Sequence, residues 1–198
     1  VEEEKKGSKA VDSRIIGIVC SRAGSTRLKN KNRLTINNRP LALRAVEVLK
    51  SCVRDVIHLT DIEEFSKEKE SHGRPEHLND GHVPLQDVVL WYLRNYVDGV
   101  KNYDTVVLLM PTNPWITPHD VEKAILTYDM SKFTVLRSYN SCTGEENGLY
   151  IMDIDYILSN DYSYDVHSGA VFCPGIEIHT KKDYNIAKEN LEQNTPNS

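Results

Sequence analysis

The chain has 198 residues, 27% of them charged, and a formal net charge of −5; that length fits one domain with a substantial core. The acidic balance argues against a general nucleic-acid or membrane binder, and no apolar run reaches membrane-span length and no signal peptide is visible. The four cysteines, Cys20, Cys52, Cys142 and Cys173, are far apart and form no CxxC. Neither a disulfide framework nor a clustered metal site is therefore expected; Cys20 and Cys52 read as buried thiols of a cytoplasmic protein.

Residues 1–13 are charged and polar and read as a mobile tail, and residues 193–198 as a C-terminal tail, leaving a domain over 14–192. Arg14–Cys20 is the first expected strand. Pro40 opens a helix to about Ser51, with Leu41, Ala45, Val48 and Leu49 on one face. Val56–Thr60 is a second strand, Ile62–Ser71 a charged helix and His72–Val83 a loop. Pro84–Tyr96 carries the clearest helical period, through Leu85, Val88, Val89, Tyr92, Leu93 and Tyr96. Thr105–Met110 is a buried strand that leads into a proline-rich turn, Pro111–Pro118. Thr117 is a good N-cap and Pro118 a good first residue for a helix to about Tyr128. Strands near Phe133–Arg137 and Leu149–Met152, a short helix near Asp155–Ser159, a strand at Ala170–Phe172 and an extended piece at Ile176–Ile178 follow. Thr180 opens the last helix, with Asp183 in the place of the capping-box acid. This alternation predicts an α/β fold, a single-domain three-layer Rossmann-like sandwich with a mostly parallel sheet.

The stretch from Ile15 to Asn32 carries the strongest functional signal. An apolar β-branched run ends at Cys20, and the loop after it holds Arg22, Gly24, Ser25, Arg27, Lys29 and Lys31. Ligands of open α/β sheets bind outside the carboxyl ends of the strands. Small residues let backbone N–H groups approach phosphates, and cations neutralise them. Ser21–Asn32 thus reads as a polyphosphate cradle for a nucleotide, although neither GxxxxGK[ST] nor GxGxxG is present. The other reading is a basic surface loop after a core strand.

Arg22-x-Gly24-Ser25-x-Arg27-Leu28, followed by Lys31-Asn32, resembles the opening motif of the CMP-sialic acid synthetases, the cytidylyltransferases that activate 3-deoxy-2-keto sugar acids with CTP. Further blocks follow in the family's order: Leu59-Thr60-Asp61, Arg74-Pro75-x-x-Leu78-x-Asp80, Leu108–Pro114, Asn147–Ile151, and Glu177-Ile178-His179-Thr180 with Asp183. The resemblance implies a nucleotidyltransferase fold and transfer of CMP from CTP to an acidic sugar, with pyrophosphate released. It places Arg22 and Lys31 at the triphosphate as catalytic residues. Ser21, Gly24, Ser25, Asn32, Arg74 and Asp80 fall around the nucleotide, and Pro111, Thr112 and Asn147 at the sugar. Arg74-Pro75 and Pro111-Thr112 could equally shape loops, and Asn32 and Asn147 could be turn residues.

The departures are specific. The family's Asp-x-Asp, which holds Mg²⁺, is here Glu177-x-His179. A hard cation prefers oxygen, so Mg²⁺ would lean on Glu177, or another divalent ion would be taken. The family's Gln before Pro-Thr is Met110, its Arg after Ser-Pro-Leu is Ile116, and Glu145-Glu146 stand where an Arg usually precedes Asn-Gly. Only Ser138–Glu146 occupies an interval that in the family holds a dimer-forming arm, so a monomer or weak dimer is expected. Two alternatives remain: a nucleotidyltransferase for another nucleotide or sugar, and a non-catalytic nucleotide- or sugar-binding homologue.

Overall fold

A computed structural model describes residues 14–96, 101–159 and 167–193. The two proposed tails lie outside these, apart from Gln193. Nine strands are described: β1 (Ile15–Ser21), β2 (Thr35–Ile36), β3 (Arg39–Pro40), β4 (Asp55–Thr60), β5 (Ser71–Gly73), β6 (Thr105–Leu109), β7 (Val135–Asn140), β8 (Glu146–Asp153) and β9 (Ser168–Cys173). The helices are α1 (Leu41–Lys50), α2 (Leu85–Asn95), α3 (Pro118–Ser131), α4 (Ile154–Ser159) and α5 (Lys181–Gln193).

Seven strands form one sheet in the order β5-β4-β1-β6-β8-β7-β9, and β2 and β3 form a separate ribbon. The sheet is mostly parallel, with β8 antiparallel to both neighbours. All seven residues of β1 are buried, as a central strand covered on both faces requires. Its alternation splits the core in two. Ile15 and Val19 pack with Val46 and Leu49 of α1 and Val121 of α3. Ile16 and Ile18 pack with Val88, Val89 and Leu93 of α2 and Ile157 of α4. The result is the expected three-layer sandwich. Gly17 lets α1 approach the sheet, since a Cβ there would lie 3.0–3.2 Å from Val53, Leu49 and Val56 side chains. Cys20, Cys52 and Cys173 are buried free thiols, with burial pushing Cys20 and Cys52 up to about 12.

The caps fall where the sequence puts them. Thr117 and Asp120 close a reciprocal capping box around α3, with Pro118 in its first turn. Asp183 Oδ2 accepts from the Thr180 N–H at 2.7 Å, and Thr180 Oγ1 accepts from the Asp183 N–H at 3.3 Å.

Three local expectations are corrected. Ile62–Ser71 is not a helix: its apolar residues Ile62 and Phe65 make no stripe that a helix could bury, so a short 3₁₀ turn (Glu63–Phe65) seats Phe65. The chain then adds β5 to the sheet edge beside β4. The β2–β3 ribbon was not anticipated; it turns on Asn37 and Asn38, both left-handed (φ 50° and 59°), as a two-residue hairpin demands. Finally, β7 and β8 reach closer together than the apolar runs suggest, forming a hairpin whose tip is only residues 141–145. Asn147 therefore lies inside a strand, not in a turn before one.

Candidate active site

Strand register assembles the site. Ser21 stands opposite Thr60 across β1 and β4, and Thr60 opposite Gly73 across β4 and β5. The loops beginning at Arg22, Asp61 and Arg74 consequently leave the sheet side by side. On the other flank Leu109 of β6 faces Leu149 of β8, which brings Asn147-Gly148 against Met110-Pro111, and the Met110 N–H donates to the Gly148 carbonyl at 2.8 Å. Asn140 faces Cys173 across β7 and β9, so the chain beyond Cys173 crosses the mouth of the sheet.

On the nucleotide side, Asp61 fixes the cationic loop by accepting from the Ala23 N–H at 2.7 Å. Arg22 lies against the Asn79–Gly81 turn, its guanidinium 3.3 Å from the Asn79 carbonyl. A Cβ on Gly81 would come within 3.0 Å of it; Gly81 was not singled out from sequence. Arg74 donates through Nε to the Leu78 carbonyl at 2.9 Å. Burial, with Arg22 nearby, lowers its pKa from the ordinary 12.5. Lys31 donates to the Ile178 carbonyl at 3.1 Å. Burial first, then Arg27 and Arg22, hold Lys31 below its ordinary 10.5, against the pull of Glu177 and Asp183. Gly24 is exposed and Ser25 half-buried at the lip of the loop, and Asp80 is exposed, capping the N–H of His82.

Two of the expected nucleotide-binding residues have side chains engaged within the protein. Ser21 is buried, hydrogen-bonded to His58 Nε2 at 2.7 Å and donating to Thr60 Oγ1 at 2.9 Å; burial lowers His58 to about 4 and keeps it neutral. Asn32 is buried and donates to the Arg22 carbonyl at 3.0 Å. Both side chains hold the loop from beneath.

On the opposite side, residues 174–179 form no strand and hang on three asparagines. Asn113 donates to the Asn147 and Pro174 carbonyls at 2.8 and 3.2 Å. Asn140 donates to the Gly175 carbonyl at 2.7 Å. Asn147 gives its amide nitrogen to the carbonyls of Cys173, Pro174 and Gly175 at 3.0–3.4 Å. The Thr112 carbonyl accepts from the Ile178 N–H at 2.7 Å. Pro111 is buried beside it without a polar contribution. Thr112 Oγ1, Asn147 Oδ1 and His179 Nδ1 are buried without a partner among the described residues.

Glu177 and His179 face the same opening, Oε2 and Nε2 being 3.3 Å apart. Burial first, with Lys31 and Arg27, lowers His179 below the ordinary 6.5 despite the pull of Glu177. A carboxylate and a neutral imidazole are both side chains that can ligate a divalent cation. Among the described residues, no three His, Cys, Asp or Glu side chains converge as a metal site. Glu177 and His179 are the side chains at this opening that would hold a divalent cation.

A mostly parallel sheet with a cationic loop at its strand ends and a carboxylate across the mouth defines a domain of the Rossmann-like nucleotidyltransferase type. The cytidylyltransferase family model matches residues 16–153, and the chain belongs to that family. It is similar to the N-acylneuraminate cytidylyltransferase of Escherichia coli, 29% identical over 190 residues, covering 85% of this chain and 44% of that protein. It is also similar to the CMP-N,N'-diacetyllegionaminic acid synthase of Legionella pneumophila, 26% identical over 120 residues, covering 57% and 52%. The chain thus spans about half the length of the curated relatives it matches. Among solved structures, its fold is similar to that of a CMP:2-keto-3-deoxy-manno-octonic acid synthetase in complex with CTP, with a TM-score of 0.73 at 16% identity over 92% of this chain and 100% of that one. No helix among the described residues is long and apolar enough to cross a membrane.

Proposed function

We propose that this chain is the catalytic domain of a CTP-dependent cytidylyltransferase that transfers CMP to an acidic keto sugar and releases pyrophosphate. The observation that carries this reading is the crowding of Arg22, Arg74 and Lys31 in the loops that leave β1 and β5, each partly withdrawn from water and close to another cation. Like charges held so close are relieved by a polyanion. The sugar hydroxyl attacks the α-phosphorus in line, and these residues position the triphosphate and offset the charge on the departing pyrophosphate. Arg22 and Arg74 offer planar donors and Lys31 a point charge. The names of the curated relatives favour an acidic sugar as acceptor.

Glu177, with His179, would hold a divalent cation, Mg²⁺ or a softer ion that tolerates imidazole. When bound, such an ion supplies further neutralisation of the phosphates. The non-catalytic reading draws support from the Glu177–His179 contact, which pairs Oε2 with Nε2 without an ion. Pyrophosphate release separates the two. Four nucleoside triphosphates should be offered with a panel of 3-deoxy-2-keto sugar acids, Mg²⁺ and Mn²⁺ being titrated in turn. Release with CTP alone is expected. Release with another triphosphate, or none with any acceptor, overturns the proposal.

We also propose a monomer or weak dimer, because residues 141–145 are too short to build an arm with its own secondary structure. Sedimentation at micromolar concentration should give the mass of a single chain or a readily diluted dimer; a tight dimer refutes this.

A further inference from the structure

Leaving β5, the chain makes a short 3₁₀ turn at Glu76–Leu78 that seats Leu78 in the core cluster of Ile18 and Val88. A tight turn follows, closed by Asp80. Its carbonyl accepts from the Val83 N–H at 3.3 Å and its Oδ1 from the His82 N–H at 2.8 Å. Two successive carbonyls of this stretch each hold an arginine. The Leu78 carbonyl accepts from Nε and Nη2 of Arg74, and the Asn79 carbonyl accepts from Nη1 of Arg22 at 3.3 Å. One anchored segment thus sets the guanidinium groups of two different loops.

Gly81 stands at the exposed corner of the turn. The turn itself does not require a glycine there, since the φ of Gly81 lies outside the left-handed region. The other reason for a glycine is the close approach of another group, and here that group is Arg22. A Cβ on Gly81 would stand 3.0 Å from Nη2, 3.1 Å from Nη1 and 3.4 Å from Cζ of Arg22, its three nearest atoms. Being nearer to both nitrogens than to the carbon, it would press on the edge that carries the terminal N–H donors. Leu78 and Asp80 pin the turn, whereas the arginine side chain has several free torsions. The arginine would therefore yield.

Resting on the reading of the cationic loop as the triphosphate site, we propose that Gly81 is a positioning residue for the nucleotide. The space it leaves free of a side chain lets the Arg22 guanidinium lie against the turn, in register with Arg74, before the triphosphate arrives. A planar fork of donors is selective only when its orientation is fixed. Any side chain at this position turns the fork away, at little cost to the fold and a large cost to the site.

The test titrates CTP into the full chain by calorimetry and follows Tm for each variant. Gly81→Ala should weaken CTP binding about five- to thirtyfold, a part of what the loss of one charge-assisted hydrogen bond removes. Its Tm should not fall, because alanine fits this backbone and restricts the unfolded chain. Gly73→Ala is the matched control. Gly73 is also exposed and also outside the left-handed region, and a Cβ there meets nothing within 4 Å; CTP affinity should be unchanged. In an Arg22→Ala background, Gly81→Ala should change affinity by less than about twofold, because the side chain it acts through is gone. Five results overturn the inference: unchanged affinity in Gly81→Ala, an equal loss in Gly73→Ala, a loss accompanied by a lower Tm, a loss that persists undiminished without Arg22, or no CTP binding by the parent. A loss that vanishes with Arg22, in a protein that releases no pyrophosphate with any acceptor, keeps the inference and removes the catalytic reading. Unchanged affinity in Gly81→Ala with CTP-dependent release intact does the reverse.

Discussion

Alanine in place of Arg22 or of Lys31 should lower CTP affinity roughly 10- to 150-fold, the equivalent of about 1.5–3 kcal/mol for a charge-assisted hydrogen bond to phosphate. Neither change should unfold the chain, because both side chains stand at the mouth and not in either main core cluster. Calorimetry with folded variants decides the matter, and unchanged affinity in both would move the triphosphate elsewhere. Lys31 adds a pH signature. Its pKa lies below the ordinary 10.5 through burial and the neighbouring Arg27 and Arg22. Phosphate binding favours the protonated amine, so affinity should fall as pH rises through that lowered pKa, and hold at lower pH. Lys31→Arg, which keeps its charge throughout, should flatten the profile while retaining binding.

The second large effect is expected at Gly148. Its φ is +93°, in the middle of β8. A Cβ there would stand 2.9 Å from Glu177 Oε1 and 2.9 Å from the Met110 Cβ. Gly148→Ala should therefore cost about 1–3 kcal/mol of backbone strain, read as a drop in Tm of roughly 2–4 °C per kcal/mol for a domain of this size. It should also push the Glu177 carboxylate aside and depress turnover in protein that is still fully folded. A variant that melts lower but turns over like the parent would show that Glu177 is not needed where it stands.

What the sequence makes legible follows the physics of each segment. β1, β6 and α2 are readable from their burial patterns, and α3 from its local capping box. Ile62–Ser71 misleads because charged residues with helical propensity say nothing about whether a face can be buried. The β2–β3 ribbon is too short for any period, and its only cue is the Asn37-Asn38 pair. The cationic loop is visible as a contiguous run, but the inward turn of Ser21 and Asn32 depends on His58, Thr60 and the path of the loop. Asn113, Asn140 and Asn147 are 27 and 7 residues apart along the chain; only the order β6-β8-β7-β9 brings their amides to one segment. Single polar residues at strand ends carry no spacing rule that would reveal this.

The asparagine suspension of residues 173–175 has a consequence for how such a domain changes over time. Two of its three members, Asn140 and Asn147, flank the hairpin tip, and their anchoring bonds run inward to a neighbouring strand's continuation. The tip itself is exposed, the kind of place where added chain is best tolerated. The anchoring of residues 173–175 is thus independent of whatever is grafted between Ser141 and Glu145. An arm can be gained or discarded there as a module, while the far half of the mouth keeps its shape.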